Sequence, residues 1–248
     1  MEENKTRSQF RWYQTWWGVS LLGFSALILA VAAVVTVMTA RYFWQIKSGG
    51  GEALRQEIYG QQEKTDLEKA DILALRQELE TADSPFLGNP KAEIVIVEFV
   101  DFKCPNCLTE APILRQVAAK YGYKTKIIAR QFPAESIHSG ASRLSEMAIC
   151  AQEQNRFWEF YDLLFARQNE LPAELTEIQE HQLADEASLN WTKLKECLDS
   201  GRAKVKVNRD YAAGYKYEIK GTPTFFVNGE KAEGAITWEI WENFLKNF

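Results

Sequence analysis

Apolar and polar positions divide the chain into two parts of different character. From Trp12 to Ala40 no charged residue occurs. The apolar stretch Trp16–Ala40, wound as a helix, spans about 37 Å, enough for a hydrocarbon core of about 30 Å. Trp12, Tyr13, Trp16 and Trp17 stand at one end and Tyr42, Phe43 and Trp44 at the other, the placement of aromatic belts at two membrane interfaces. A core helix of a soluble domain has no need of this length. A cleaved signal peptide is the closer rival, because Ala30-Val31-Ala32 fits a small-residue cleavage site. Cutting there, however, leaves Ala33–Ala40 as an apolar terminus in water. The reading is an uncleaved transmembrane anchor over residues 16–40, preceded by a tail over 1–15. Lys5, Arg7 and Arg11 before the span are balanced by Arg41, Lys47 and Arg55 after it, so charge alone sets no orientation.

Beyond the anchor, Ser48-Gly49-Gly50-Gly51 is a flexible break. Glu52–Thr81 is charged and helix-prone, with apolar positions at Leu54, Ile58, Leu67, Ile72, Leu75 and Leu79 whose spacing drifts from a clean heptad. This predicts a solvated spacer helix within a linker over 41–83; an oligomerising stalk is the alternative. Asp83-Ser84-Pro85 and Gly88-Asn89-Pro90 punctuate the entry to a folded domain over 84–248. There the pattern predicts a mostly buried strand over Ala92–Val100, a helix from Pro105 to Tyr121 and a second strand over Thr125–Phe132. Joined by the helix, the two strands are parallel, a β-α-β unit. A continuous helical pattern follows from about Ser136 to Tyr217, with Phe157–Tyr161 and Leu163–Phe165 as bulky core positions and Glu170–Glu186 as exposed acidic surface. A strand over Thr224–Val227, the turn Asn228-Gly229, a returning strand near Lys231–Glu233 and a helix from Thr237 complete the order. No internal repeat is present.

The 248 residues carry a net charge of −5 with basic residues scattered, which removes nucleic acid from the partners. Four cysteines change the picture more. Cys104-Pro105-Asn106-Cys107 follows the apolar strand directly and opens a helix. A C-x-x-C pair at a strand-to-helix junction suits thiol–disulfide exchange: one thiol attacks, the second resolves, and two residues between them let the sulfurs close a tight ring. Cys104, at the helix N-terminus, faces unpaired backbone N–H groups and the positive end of the helix dipole, so it is expected to be the more exposed and more acidic thiol. Cys107, one turn in, is expected to be shielded and to resolve. A merely structural disulfide is the plain alternative.

The order β-α-β, helical block, β-β-α is that of a thioredoxin fold, of class α/β, carrying a helical insertion over about 136–217. Phe86-Leu87-Gly88-Asn89-Pro90-Lys91-Ala92 and Val97–Cys107 together resemble the DsbA-like family of extracytoplasmic thiol oxidoreductases. Cys150-Ala151-Gln152 with Phe157-Trp158-Glu159 is similar to that family's insertion, and Gly221–Gly229 to its cis-proline segment. The resemblance covers about Ser84 to Phe248 and leaves the first 80 or so residues unexplained.

That resemblance implies a cis Thr222–Pro223 bond lying against the CxxC, with Thr222 turned outward to pair its backbone with an extended substrate strand. It implies an acid at Glu98, on the same strand face as Val100. Buried, Glu98 relays a proton to or from Cys107; solvated, it does nothing of the kind. It implies a structural disulfide between Cys150 and Cys197, worth roughly 4 kcal/mol in the chain-entropy model. The alternative, a metal site shared with the CxxC, lacks a second ligand pair, since His138 and His181 stand apart and are read as surface residues. No cofactor is called for. Asn106 departs from the best-known oxidases, which carry histidine there; an amide offers only a hydrogen bond, so the Cys104 thiol is expected to be acidic but above the about 3.5 of DsbA. With Pro105, Asn106 and Thr222 form the expected substrate-facing surface.

The functional expectation is a thiol:disulfide oxidoreductase that forms disulfides in reduced secreted or envelope polypeptides. A quinone-linked membrane oxidase of the DsbB or VKOR type would re-oxidise it. The alternatives are an isomerase or reductase on an oligomeric stalk, and a tethered peptide-binding or chaperone module. Because dithiol oxidation belongs in an oxidising space, the expected site is the inner cell membrane, single-pass, with the domain outside.

Overall fold

The computed structural model describes residues 16–45 and 71–248. The expected tail, the glycine break and most of the expected spacer (Glu52 to residue 70) lie outside the described residues. The chain divides into two units, Met1–Glu68 and Lys69–Phe248. In the first, helix α1 runs from Trp16 to Gln45, and Gly23–Trp44 within it has a mean hydropathy of 2.2. At 1.5 Å per residue that stretch is about 33 Å long, enough to cross a membrane. Its hydroxyls turn inward to the helix backbone: Ser20 Oγ donates to the Trp16 carbonyl (3.0 Å) and Thr39 Oγ1 to that of Thr36 (3.0 Å). The helix continues past Ala40, carrying Tyr42, Phe43 and Trp44 as exposed residues.

The second unit is built on a five-stranded sheet. After a helical segment over 71–79 (α2) come β1 (Phe86–Gly88), β2 (Ile94–Val100), α3 (Pro105–Tyr121) and β3 (Thr125–Gln131). The inserted helices are α4 (Ala141–Gln152), α5 (Phe157–Arg167), α6 (Glu177–Glu186), α7 (Trp191–Asp199) and α8 (Arg202–Lys216). Then β4 (Thr224–Val227), β5 (Glu230–Glu233) and α9 (Trp238–Asn247) close the unit. The spatial order is β1-β3-β2-β4-β5. Strands β2 and β3 are parallel, Ile94 opposite Thr125 through Val100 opposite Gln131, and the other pairings are antiparallel. All seven residues of β2 are buried, as a central strand covered on both faces requires.

Alternation along β2 sends Ile94 and Ile96 to a core shared with Leu114, Val117, Trp241 and Leu245 of α3 and α9. Val95, Val97 and Phe99 go to the opposite face, against Leu79, Phe132, Ile219 and Phe226. A third core, between the sheet end and the insertion, gathers Phe102, Cys107, Leu144, Phe160, Tyr161 and Leu164 among others. At the hairpin, Asn228 (φ 49°) and Gly229 (φ 94°) both lie in the left-handed region, as a two-residue turn matched to strand twist requires. A Cβ on Gly229 would stand 2.8 Å from Ile72 Cγ2 of α2, so glycine also admits that helix.

Two features depart from the sequence pattern. Strand β1 was not expected; three residues on a sheet edge ending in Gly88 (φ 88°) leave no alternation to read. The end of the expected solvated spacer is instead part of the domain. Leu79 is 1% exposed and Leu75 packs beside it. The buried Arg130 of β3 donates to the Glu78 carbonyl (3.0 Å) while paired with Asp210 of α8 at 2.9 Å. Smaller differences are of register: β2 begins at Ile94, because the Ala92 N–H closes a turn onto the Asn89 carbonyl (3.0 Å).

Candidate active site

Strand β2 leads into a turn that Asp101 organises. Its buried carboxylate accepts the N–H of Lys103 (2.7 Å) on one oxygen and that of Ala134 (2.9 Å) on the other. His138 Nδ1 sits 2.7 Å from the second oxygen. The Asp101 carbonyl accepts the N–H of Cys104 (3.1 Å). Cys104 is then the N-cap of α3 (φ −76°, ψ 125°) with Pro105 at the first helical position, where a missing N–H costs nothing. His138 is thus a partly buried partner of the active-site turn rather than a free surface residue. His181 stacks on Trp191 with ring centroids 4.9 Å apart.

Cys104 and Cys107 are both free thiols, 6% and 0% exposed, while Pro105 and Asn106 between them are exposed. The Thr222–Pro223 bond is cis, Pro223 is buried, and Cys104 Sγ lies 3.1 Å from the Thr222 carbonyl oxygen. The Cys104 thiol is drawn down to about 5. The Cys107 thiol donates to its sulfur, Thr222 and the backbone N–H groups of Cys107 and Asn106 add to this, and burial opposes. Burial pushes the Cys107 thiol well up, and its neighbours Cys104 and Glu98 push the same way. The two sulfurs therefore differ in acidity as an attacking and a resolving thiol must.

Glu98 is 0% exposed, so the solvated alternative does not hold. It stands opposite Ala129 on β3 and Phe225 on β4, on the β2 face that also carries Ile94 and Ile96. Burial raises its carboxyl to about 8, with the charge of Glu110 adding and a hydrogen bond from Tyr161 opposing. Glu110, one turn past Cys107 on α3, accepts Trp241 Nε1 (2.8 Å) and the Ile236 N–H (2.6 Å), and burial raises it to about 7. Glu98 acts on Cys107 directly, and Glu110 acts on Glu98.

Cys150 of α4 and Cys197 of α7 are bonded to each other, with Cα atoms 5.7 Å apart, inside the insertion. Among the described residues no group of three or more His, Cys, Asp or Glu side chains is arranged to hold a metal ion.

Tyr161, Glu110, Gln168 and Asp101 were not singled out from the sequence. Glu110 carried a usable signal, because position i+3 from Cys107 shares its helix face. Tyr161 sat within an apolar helical run and read as core; nothing local distinguished it.

The family model described as Thioredoxin matches residues 80–247. The chain belongs to the thioredoxin family. A probable disulfide bond formation protein D of Bacillus anthracis is 32% identical over 159 residues, 59% of this chain and 70% of that protein. The Na(+)/H(+) antiporter NhaA 3 of Salinispora tropica is 34% identical over 153 residues, 61% of this chain. The match takes in only 22% of that antiporter, so this thioredoxin-family chain spans about a fifth of its length. Among solved structures, oxidised BdbD of Bacillus subtilis has a TM-score of 0.59 at 23% identity, covering 66% of this chain and 92% of that one. That likeness is one of fold: a thioredoxin fold with an inserted helical block.

Proposed function

We propose that the protein is a membrane-anchored thiol:disulfide oxidoreductase that forms disulfides in secreted or envelope polypeptides. The observation that carries this reading is the pair of sulfurs itself. Cys104 sits at a helix N-terminus as a thiol drawn down to about 5, beside a resolving thiol held protonated and against the Thr222 carbonyl at 3.1 Å. An acidic sulfur leaves readily from a mixed disulfide, which favours the oxidising direction.

The reaction begins from the Cys104–Cys107 disulfide. A substrate thiolate attacks Cys104 Sγ, the Cys104–Cys107 bond breaks, and Cys107 leaves as a thiolate and takes a proton. Glu98, protonated near neutral pH, is the group placed to supply it. A second substrate thiolate then attacks the substrate sulfur of the mixed disulfide and expels the Cys104 thiolate. The substrate has lost two electrons and two protons; the protein holds two cysteines in reduced form. Pro105, Asn106 and Thr222 border the sulfur and bear the substrate chain, the Thr222 carbonyl oxygen lying 3.1 Å from Cys104 Sγ. The Cys150–Cys197 disulfide takes no part in exchange and braces the insertion.

Re-oxidation falls to a quinone-linked membrane oxidase of the DsbB or VKOR type. Helix α1 is the anchor, in the cell (inner) membrane with the N-terminus inside and the domain in the oxidising space outside. The test is oxidation of a reduced, unfolded polypeptide by the full-length protein in detergent micelles, with free thiols counted over time. Thiols should disappear with the wild type and persist with Cys104→Ser. Persistent thiols with the wild type, or a reduction potential near thioredoxin's about −270 mV, overturn the oxidase direction.

A further inference from the structure

We propose that Gln168, together with Lys103, is a positioning residue through which the inserted helices fix the pose of the Cys104 sulfur. The inference deepens the reading above and rests on it.

Gln168 opens the short 3₁₀ turn Gln168–Glu170 that follows α5 and is 7% exposed. Its carboxamide nitrogen donates to two carbonyls of the active-site turn, Phe102 and Cys104, at 3.0 Å each. In the opposite direction, Lys103 Nζ donates to the carbonyls of Leu171 and Pro172, at 2.7 Å each. Segments 102–104 and 168–172 are thus joined by four hydrogen bonds, two supplied from each side.

The surroundings do not explain a carboxamide here. Helix α5 presents Phe157, Phe160, Tyr161, Leu164 and Phe165 to the core, and the Phe102 ring packs on Tyr161 and Phe165 with centroids 5.7 and 5.3 Å away. A methionine would suit that environment better, since burying an amide costs free energy unless its bonds are made. The buried carbonyls of the turn supply the reason, because each needs a donor.

The grip falls on the peptide that aims the sulfur. The Cys104 carbonyl also accepts the N–H of Leu108 (3.1 Å), the first bond of α3, so this one oxygen joins helix start and insertion. Rotation about the Cys104 backbone would swing Sγ away from the Asn106 and Cys107 N–H groups. Those groups stabilise a thiolate and do nothing comparable for a disulfide, so whatever holds the pose favours the dithiol and makes the disulfide more oxidising.

The experiment uses the full-length protein in micelles as wild type, Gln168→Met, Lys103→Met and the double variant. Two quantities are read: the pH midpoint of Cys104 thiolate absorbance, and the equilibrium with glutathione, in which protein disulfide plus two GSH gives protein dithiol plus GSSG. The midpoint should move upward in each single variant, and the equilibrium constant for reduction should fall about three- to tenfold, the worth of one or two hydrogen bonds. The double variant should fall short of the product of the singles, because both act on one clamp. Added salt should leave the Gln168→Met shift in place, since no charge is removed. A folded Gln168→Met protein with wild-type midpoint and equilibrium overturns the proposal, as does a loss of heat stability equal in both redox forms with neither quantity moved. If Gln168→Met does not fold, Lys103→Met, at a part-exposed position, decides by the same readouts. A wild type that fails to oxidise any reduced polypeptide refutes the oxidoreductase reading; variants that match an active wild type refute only the clamp.

Discussion

The hydroxyl of Tyr161 lies 3.2 and 3.3 Å from the two carboxylate oxygens of Glu98, joining helix α5 to the central strand at a buried point beside the resolving thiol. The inserted helices therefore reach the reacting groups from two sides. Tyr161 touches the proton-bearing acid, and Gln168 touches the turn that carries Cys104. An insertion that only enlarged the core would need neither contact.

Glu98 makes stability depend on pH in a definite direction. Burial lifts its carboxyl to about 8 in the fold, against about 4.3 in an unfolded chain. A group raised in this way holds its proton in the folded state. Its contribution is fully present below the unfolded value and is lost as pH rises through the folded one. Glu98→Gln, neutral at every pH, should therefore flatten the decline of stability between about pH 5 and pH 9. It should exceed the wild type by about 5 kcal/mol near the upper end, the worth of a shift from about 4.3 to about 8. Tyr161→Phe removes a bond that lowers the Glu98 value and should push the decline to higher pH. Denaturant titrations of the reduced proteins across this range check both, and parallel wild-type and Glu98→Gln curves would contradict the assignment.

Alkylation reports the other sulfur. The Cys107 thiol, Thr222 and two backbone N–H groups together hold Cys104 at about 5. The rate of its reaction with iodoacetamide should rise with pH through a midpoint near that value and be flat by neutrality, whereas an unperturbed thiol titrates near about 8.5. Cys107→Ala removes the thiol that donates to the Cys104 sulfur and should shift the midpoint upward while trapping the mixed disulfide with substrate. A wild-type midpoint near the unperturbed value contradicts the account.

Much of this was legible in the sequence, and the limits are physical. The continuous run of Ile and Val pointed to β2, and the Cys-Pro step to the start of α3, because both are set by local chemistry. The Asn228-Gly229 turn was readable for the same reason, since few other dipeptides accept two positive φ angles. Tyr161, Gln168 and Lys103 were not legible. Their partners lie 63 to 69 residues away, at Glu98, at the turn and just after the 3₁₀ segment, and no local pattern records such a meeting. The docking of 71–79 escaped notice for a related reason. A charged helix with drifting leucines reads as solvated until Leu79 and the Glu78 carbonyl meet β3 and β4.

The Cys150–Cys197 bond closes a loop with a sequence separation of 47 inside the insertion. Cross-linking a loop of that length restrains the unfolded chain by about 4 kcal/mol in the chain-entropy model. Cys150→Ala with Cys197→Ala should lower stability by about 2–5 kcal/mol, seen as a lower denaturant midpoint. The Cys104 alkylation midpoint should stay in place so long as the insertion remains folded. A stability unchanged within about 0.5 kcal/mol would show that this bond does not brace the insertion.

The last prediction concerns where the folded unit begins. Leu79 fills the sheet face opposite α3, against Val95, Val97, Phe99 and Phe226, at 1% exposure. Its backbone carbonyl and that of Glu78 accept from Arg130, a buried cation paired with Asp210 at 2.9 Å. Removing α2 would therefore open an apolar face and strip two acceptors from a buried charge, a costlier loss than burial alone suggests. Leu79→Ala should destabilise the protein by about 2–5 kcal/mol, as large-to-small changes in a well-packed core do. A fragment starting at Lys69 should unfold at a clearly higher denaturant concentration than one starting at Ser84. Equal midpoints for the two fragments would return 71–79 to the status of a spacer.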